Sequence, residues 1–223
     1  MNTDRLIEGL ARDVAPVRPL PLPWMRATLW SLASIAYVLM LALLLTSGED
    51  VSVNTAHRGF FAYQAASMAM GLTAVAAAFA SVVPGYSRRT LWLPVAAAAA
   101  WLVALLVRVP QEWRTAGLSG LASGHEVLCV VTIVATAVPP AFGLTLMLRR
   151  GAALSPRLTM ALSALAAAGL TNVVTCLASP HTSGMAILAW HGTTLVAVCA
   201  LAASFGRSLL PWTVSTNFSR SLT

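Results

Sequence analysis

Six apolar runs, each long enough to cross a bilayer, constrain this chain more than any other feature. They cover residues 25–46, 60–83, 91–107, 126–148, 158–178 and 184–205. A helix rises about 1.5 Å per residue, so about 20 apolar residues match a hydrocarbon core about 30 Å thick. The third run sits near the lower limit of about 17 residues, which leaves its ends open. Composition agrees: 58% of the 223 residues are apolar and only 9% are charged, where soluble domains carry about a quarter charged residues. The expected fold is an all-α membrane protein of six transmembrane helices. It divides into an N-terminal segment and linker (1–24), a transmembrane domain (25–206) and a tail (207–223).

Arginine placement orients the bundle. All fourteen basic residues are arginine, as expected of a GC-rich coding sequence. Arg5, Arg12, Arg18, Arg26, Arg88, Arg89, Arg149, Arg150, Arg157, Arg207 and Arg220 fall on one side of the bundle, and only Arg58, Arg108 and Arg114 on the other. The positive-inside rule then puts both termini in the cytoplasm, in keeping with an even number of spans. The net charge of +7 is therefore a topology signal, and nothing in the chain reads nucleic acid. The first run is too long for a cleavable signal peptide, and Leu45-Thr46-Ser47-Gly48 is no small-residue cleavage site.

Residues 1–15 have the pattern of a short cytoplasmic amphipathic helix. Asn2 or Thr3 can cap it, Asp4 suits the positive end of its dipole, and Leu6, Ile7, Leu10 and Val14 form one apolar stripe. So short a helix is marginal alone in water, so the stripe needs a cover, either a protein partner or the lipid surface. The polar face mixes Arg5 and Arg12 with Glu8 and Asp13, unlike the uniformly basic face of most membrane-surface helices. Pro16, Pro19, Pro21 and Pro23 follow. They favour a semi-rigid polyproline spacer of roughly 25 Å.

Inside the bundle, Ser67-x-x-x-Gly71, Ala74-x-x-x-Ala78, Ala96-x-x-x-Ala100 and Ala164-x-x-x-Ala168 have the small-residue spacing that lets helix backbones approach. Pro139 and Pro140 fall mid-span in the fourth helix and remove two backbone donors. A kink there is expected, structural or serving as a hinge.

The reactive side chains gather at the outer rim. Gly124-His125-Glu126-Val127-Leu128-Cys129 puts an imidazole, a carboxylate and a thiol within one helical turn. Cys129 falls on the first turn of the fourth span and Cys176 on the last turn of the fifth, both within roughly 5 Å of the outer boundary. Asn172 shares the face of Cys176, four residues on. His181 joins the same layer, as does His191 beside Trp190, whereas His57 lies in a loop. His125, Glu126, His181 and His191 are candidate metal ligands, since thiolate with imidazole suits zinc, copper(I) or cadmium. Cys199 lies roughly 22 Å deeper and reads as a packing residue. An equally ordinary role for the histidines is hydrogen bonding at the interface. No nucleophile set, paired carboxylates, phosphate loop or metalloprotease motif is present, so an enzyme is not expected. The spans carry no mid-membrane charge of the kind that marks ion paths. Even so, a small transporter of metal or other small molecules is the competing class, and a purely structural membrane subunit the third.

The chain resembles the NrsF-type membrane anti-sigma factors over nearly its full length. The resemblance rests on Thr3-Asp4 with Leu6-Ile7, Leu10-Ala11, Asp13 and Pro16-Val17; Ser81-Val82-Val83-Pro84-Gly85; Cys129; Arg149-Arg150-Gly151 with Leu154 and Pro156-Arg157; Cys176; Trp190-His191-Gly192; and Gly206-Arg207 with Trp212. It implies an inner-membrane protein whose N-terminal segment (Asp4, Leu6, Ile7, Leu10, Val14) binds an extracytoplasmic-function sigma factor. It also implies that Cys129 and Cys176 report heavy-metal or oxidative stress, with at most a transient soft metal and no resident cofactor. Leu177-Ala178-Ser179-Pro180 stands where the family leads one to expect acidic residues.

Overall fold

The computed structural model describes residues 3, 7–9, 21–45, 59–85, 87–117, 126–151, 153–178 and 183–210. Among them there is no strand, and six helical stretches are long and apolar enough to cross a membrane. Helix α1 is Pro23–Leu45 and α2 is Phe60–Ala80. A 3-10 turn, Arg88–Leu91, leads into α3, Trp92–Leu106, which α4, Val109–Ala116, continues. Helix α5 is Glu126–Leu148, α6 is Pro156–Ala178, and α7 is Gly184–Ser204, followed by the short α8, Gly206–Leu209. Five of the six expected runs end within a few residues of these helices. Pro23 is the first helical residue of α1, where its fixed φ and missing N–H do no harm.

The third span departs from expectation. It extends over Arg89–Thr115 and takes in Arg108 and Glu112, which the sequence pattern assigns to a loop. The two side chains pair at 3.1 Å, one turn apart on the same face. Each cancels the other's cost near the membrane boundary.

Helix α6 is the axis of the bundle. Of its most apolar window 78% is buried, against 17% for α1, and α1, α2, α5 and α7 all pack on it. Its composition explains this: Ala164, Ala166, Ala167, Ala168 and Gly169 give it a thin waist. At that waist it meets Ser67 and Gly71 of α2. A Cβ on Gly169 would lie 3.0 Å from the Gly71 nitrogen, and one on Gly71 would lie 3.0 Å from the Ala166 carbonyl oxygen. Ala74 and Ala78 are also fully buried. Ala96 and Ala100, by contrast, lie on a face of α3 that is exposed among the described residues.

Arginine side chains tie one end of the bundle together. The Arg26 guanidinium lies 4.7 Å above the Phe79 ring and donates to the Met147 carbonyl, one of the last carbonyls of α5. Arg149 Nε donates to the Leu209 carbonyl at the end of α8, 2.8 Å away. Gly151 sits against Val82, and Gly206 against the backbone of Pro156 and Arg157. Several residues that carry the family resemblance therefore meet here. Helix α5 runs unbroken through Pro139 and Pro140, and the Trp30 indole N–H donates to the Pro140 carbonyl at 3.0 Å.

Candidate functional site

At the opposite end of the bundle a chain of polar side chains crosses the apolar interior. Ser67 on α2 donates its hydroxyl to the Gly169 carbonyl at 2.9 Å. Asn172 on α6 donates its amide to Ser67 Oγ at 3.0 Å, and its carbonyl Oδ1 lies 2.7 Å from His191 Nδ1 on α7. Cys176, one turn beyond Asn172, puts Sγ 3.8 Å from Oδ1 and 3.7 Å from Nδ1. All four side chains are buried, His191 at 3% and Cys176 at 2% exposure. Gln64, one turn from Ser67, donates to the Val173 carbonyl at 3.0 Å. Three helices are thus joined by side-chain hydrogen bonds, where apolar packing alone would leave their rotation loosely defined.

The local fold explains why His191 reaches this chain. The stretch Ile187–His191 is a π turn inside α7, which adds a residue to the turn and rotates His191 toward α6. Such turns occur mostly as single insertions within α-helices, frequently at functional sites. The start of α7 is pinned from outside: Ser183 caps it by accepting from the Ala186 N–H at 3.0 Å, and Glu112 accepts from the Met185 N–H at 3.0 Å. Arg108 pairs with that same Glu112 and lies 5.4 Å from the Tyr63 ring centroid.

Several buried polar atoms lack a hydrogen-bond partner among the described residues: His191 Nε2, Gln64 Oε1, Trp101 Nε1, Arg108 Nη1 and Ser163 Oγ. Each costs about 1–3 kcal/mol of folding stability. Trp101 belongs to the same apolar cluster as Cys176 and Ile187, so the orphaned groups include two in the layer of the thiol.

A family model described as negative regulator of sigma F matches residues 10–212 of the chain. The chain belongs to the NrsF family. It is a negative regulator of a sigma factor, which makes a sigma factor its partner and regulation its task. No curated protein and no solved structure gives a match.

The residues expected to matter in an NrsF protein fall into three groups. Cys176, Asn172 and His191 stand together in the buried chain. Cys129, half-buried on α5, lies within electrostatic reach of Cys176; no disulfide joins the described cysteines. Cys199 lies two turns further along α7 than His191 and is half-buried. Among the described residues no three His, Cys, Asp or Glu side chains stand in a metal-binding arrangement. His125 and His181 lie outside the described residues, as does the side chain of Glu126. In the N-terminal segment Thr3 and Ile7–Gly9 are helical, and Ile7 is 59% exposed. Asp4, Leu6, Leu10 and Val14 lie outside the described residues, and the family match starts only at Leu10. Sequence reasoning missed Gln64, Tyr63, Arg108 and Glu112. The one signal for the last two was their spacing of four, which places opposite charges on one helical face.

Proposed function

We propose that this NrsF-family protein holds an extracytoplasmic-function sigma factor inactive at the bacterial inner membrane, and releases it when Cys129 and Cys176 react on the periplasmic side. Family membership over residues 10–212 carries this reading. The cytoplasmic placement of both termini is supported by the arginine bias. The N-terminal segment supplies the binding surface: Leu6, Ile7, Leu10 and Val14 cover an apolar patch of the sigma factor, with Asp4 at the positive end of the helix. The exposure of Ile7 in the isolated chain supports an apolar stripe that awaits a partner.

The thiols supply the response. A heavy-metal ion takes up two thiolates and displaces two protons. An oxidant instead accepts two electrons as the thiols lose two protons and form an S–S bond, which requires Cα atoms within about 7 Å. Either event changes the packing of α5 against α6 and α7, with Pro139 and Pro140 as the hinge. A coupling of about 1–3 kcal/mol then lowers sigma-factor affinity about 5–150-fold.

Pull-down of the sigma factor from membranes tests the binding half: deletion of residues 1–15 abolishes retention, and undiminished retention refutes it. A sigma-dependent reporter tests the sensing half. The Cys129→Ser/Cys176→Ser protein represses normally and no longer responds to cadmium or oxidant. Wild-type induction in that variant ends the sensing reading.

A further inference from the structure

Between α1 and α2, at the end of the bundle that the arginine bias assigns to the cytoplasm, lies an open cleft of about 470 Å3. That volume falls within the roughly 300–1,000 Å3 of ordinary ligand sites. The buried Ala27 and Val75 form its floor, Ala76 leaves room beside them, and Thr90 of the 3-10 turn closes its inner end. Along α1 it runs from Trp24 to Leu32, about 12 Å, close to the roughly 15 Å depth of one hydrocarbon leaflet. No charged side chain lines it, and the Thr28 hydroxyl is spent on the Met25 carbonyl at 2.9 Å. An apolar guest is therefore required, and the dimensions say which. A volume of about 470 Å3 over that length leaves a cross-section of about 40 Å2. That is about half the section of a helix about 10 Å across. The cleft admits a hydrocarbon chain and excludes a helix, whether of a partner or of a second copy.

The mouth of the cleft selects the headgroup. Arg89 precedes Thr90 on the same turn and is exposed, and Trp24 is exposed at the other lip. Arg26 is already engaged with the Phe79 ring and the Met147 carbonyl. Tryptophan belongs at headgroup level, and the anionic lipids of a cytoplasmic leaflet attract arginine. The start of α1 adds N–H groups with no intrahelical partner. We propose that the cleft binds an acyl chain of an anionic phospholipid, whose phosphate is held by Arg89 and by the Trp24 indole N–H. Unlike the exposed face of α3 around Ala96, the cleft has a floor, an end and a cation beside its mouth. The lipid stands beside Pro23, where the N-terminal segment joins α1.

The full chain is placed in nanodiscs of equal parts phosphatidylglycerol and phosphatidylcholine with matched acyl chains, released into detergent and weighed intact by mass spectrometry. One retained lipid per chain is expected. Phosphatidylglycerol is preferred about 5-fold, the factor that one arginine near an anionic headgroup supplies. Arg89→Gln keeps the lipid and brings the two headgroups to parity. Ala76→Phe fills the cleft and releases the lipid, whereas Ala96→Phe retains it. Should Ala76→Phe fail to fold, brominated acyl chains decide, with Trp24 fluorescence taken as the difference between wild type and Trp24→Phe. Quenching is expected at a lower fraction of brominated phosphatidylglycerol than of brominated phosphatidylcholine. Equal quenching by the two, equal retention by the wild type, or undiminished retention in Ala76→Phe overturns the site. A preference that survives Arg89→Gln overturns the phosphate contact. A wild-type dimer that Ala76→Phe turns into a monomer also overturns the proposal, with a second copy as the occupant.

Discussion

Asn172 decides whether the buried polar chain closes. Its amide satisfies Ser67 and its carbonyl satisfies His191, so Asn172→Ala strands an imidazole N–H in the interior. The expected cost is about 1–3 kcal/mol, seen as a lower unfolding midpoint in detergent. A double mutant with His191→Ala should lose less than the two single losses combined, because each removes the same bond. Strict additivity would mean that the bond contributes nothing. Part of this chain was legible in the sequence. Asn172 and Cys176 are four apart on an apolar helix and must share a face, and His191 falls at the same depth by counting residues. Ser67 was legible only as a small residue, because spacing alone does not show that its hydroxyl faces Asn172. Gln64 and Tyr63 were not legible at all, and Arg108 and Glu112 only through their spacing of four. A helix apolar all round carries no stripe to say which side meets which neighbour. The π turn adds a residue that no periodicity announces.

At the scale of elements, helix contact is set by where side chains are missing. Gly169 and Gly71 let α2 and α6 touch backbone to backbone. Gly169→Leu should push the helices apart at the level of Ser67 and break its bond to the Gly169 carbonyl, at a cost of about 1–3 kcal/mol or more. Gly206→Ala is a sharper probe: its Cβ would lie 2.6 Å from the Pro156 carbonyl oxygen, and backbone cannot move aside as a side chain can. Both variants are checked by thermal unfolding with the helical signal as readout, and a midpoint equal to wild type would show that the helices separate without penalty. The spans themselves were legible almost to the residue, because length and apolarity answer directly to bilayer thickness. The small-residue motifs were only partly so. Ser67-x-x-x-Gly71 makes a close backbone contact and Ala96-x-x-x-Ala100 stays exposed among the described residues, and the same spacing in an alanine-rich chain cannot tell them apart. The third span was cut short for another reason: counted singly, Arg108 and Glu112 end an apolar run, yet as a pair they extend it.

For the whole molecule the question is how an event beside Cys129 reaches a segment attached at the other end of the bundle. Helix α5 is the candidate carrier. Cys129 stands on its first turn, and Met147 lies eighteen residues on, about 27 Å along the axis. Its polar contacts with α1, the helix that continues the N-terminal segment, include Trp30 Nε1 to the Pro140 carbonyl and the Arg26 guanidinium to the Met147 carbonyl. The first sits at the proline pair proposed as the hinge, so a change of bend there pulls on Trp30. Trp30→Phe keeps most of the ring and loses the bond. Repression should stay as in wild type, because the N-terminal segment is untouched, and Cys129 and Cys176 should react with a thiol probe at the wild-type rate. The reporter response to cadmium should fall, by the factor of about 2–30 that corresponds to a coupling change of about 0.5–2 kcal/mol. A tryptophan that merely packs would lower protein abundance and induction together, so membrane levels are measured in parallel. Full induction at normal abundance would show that the signal leaves the thiols by another helix. The remaining routes are then α6 and α2, both of which touch α1 directly.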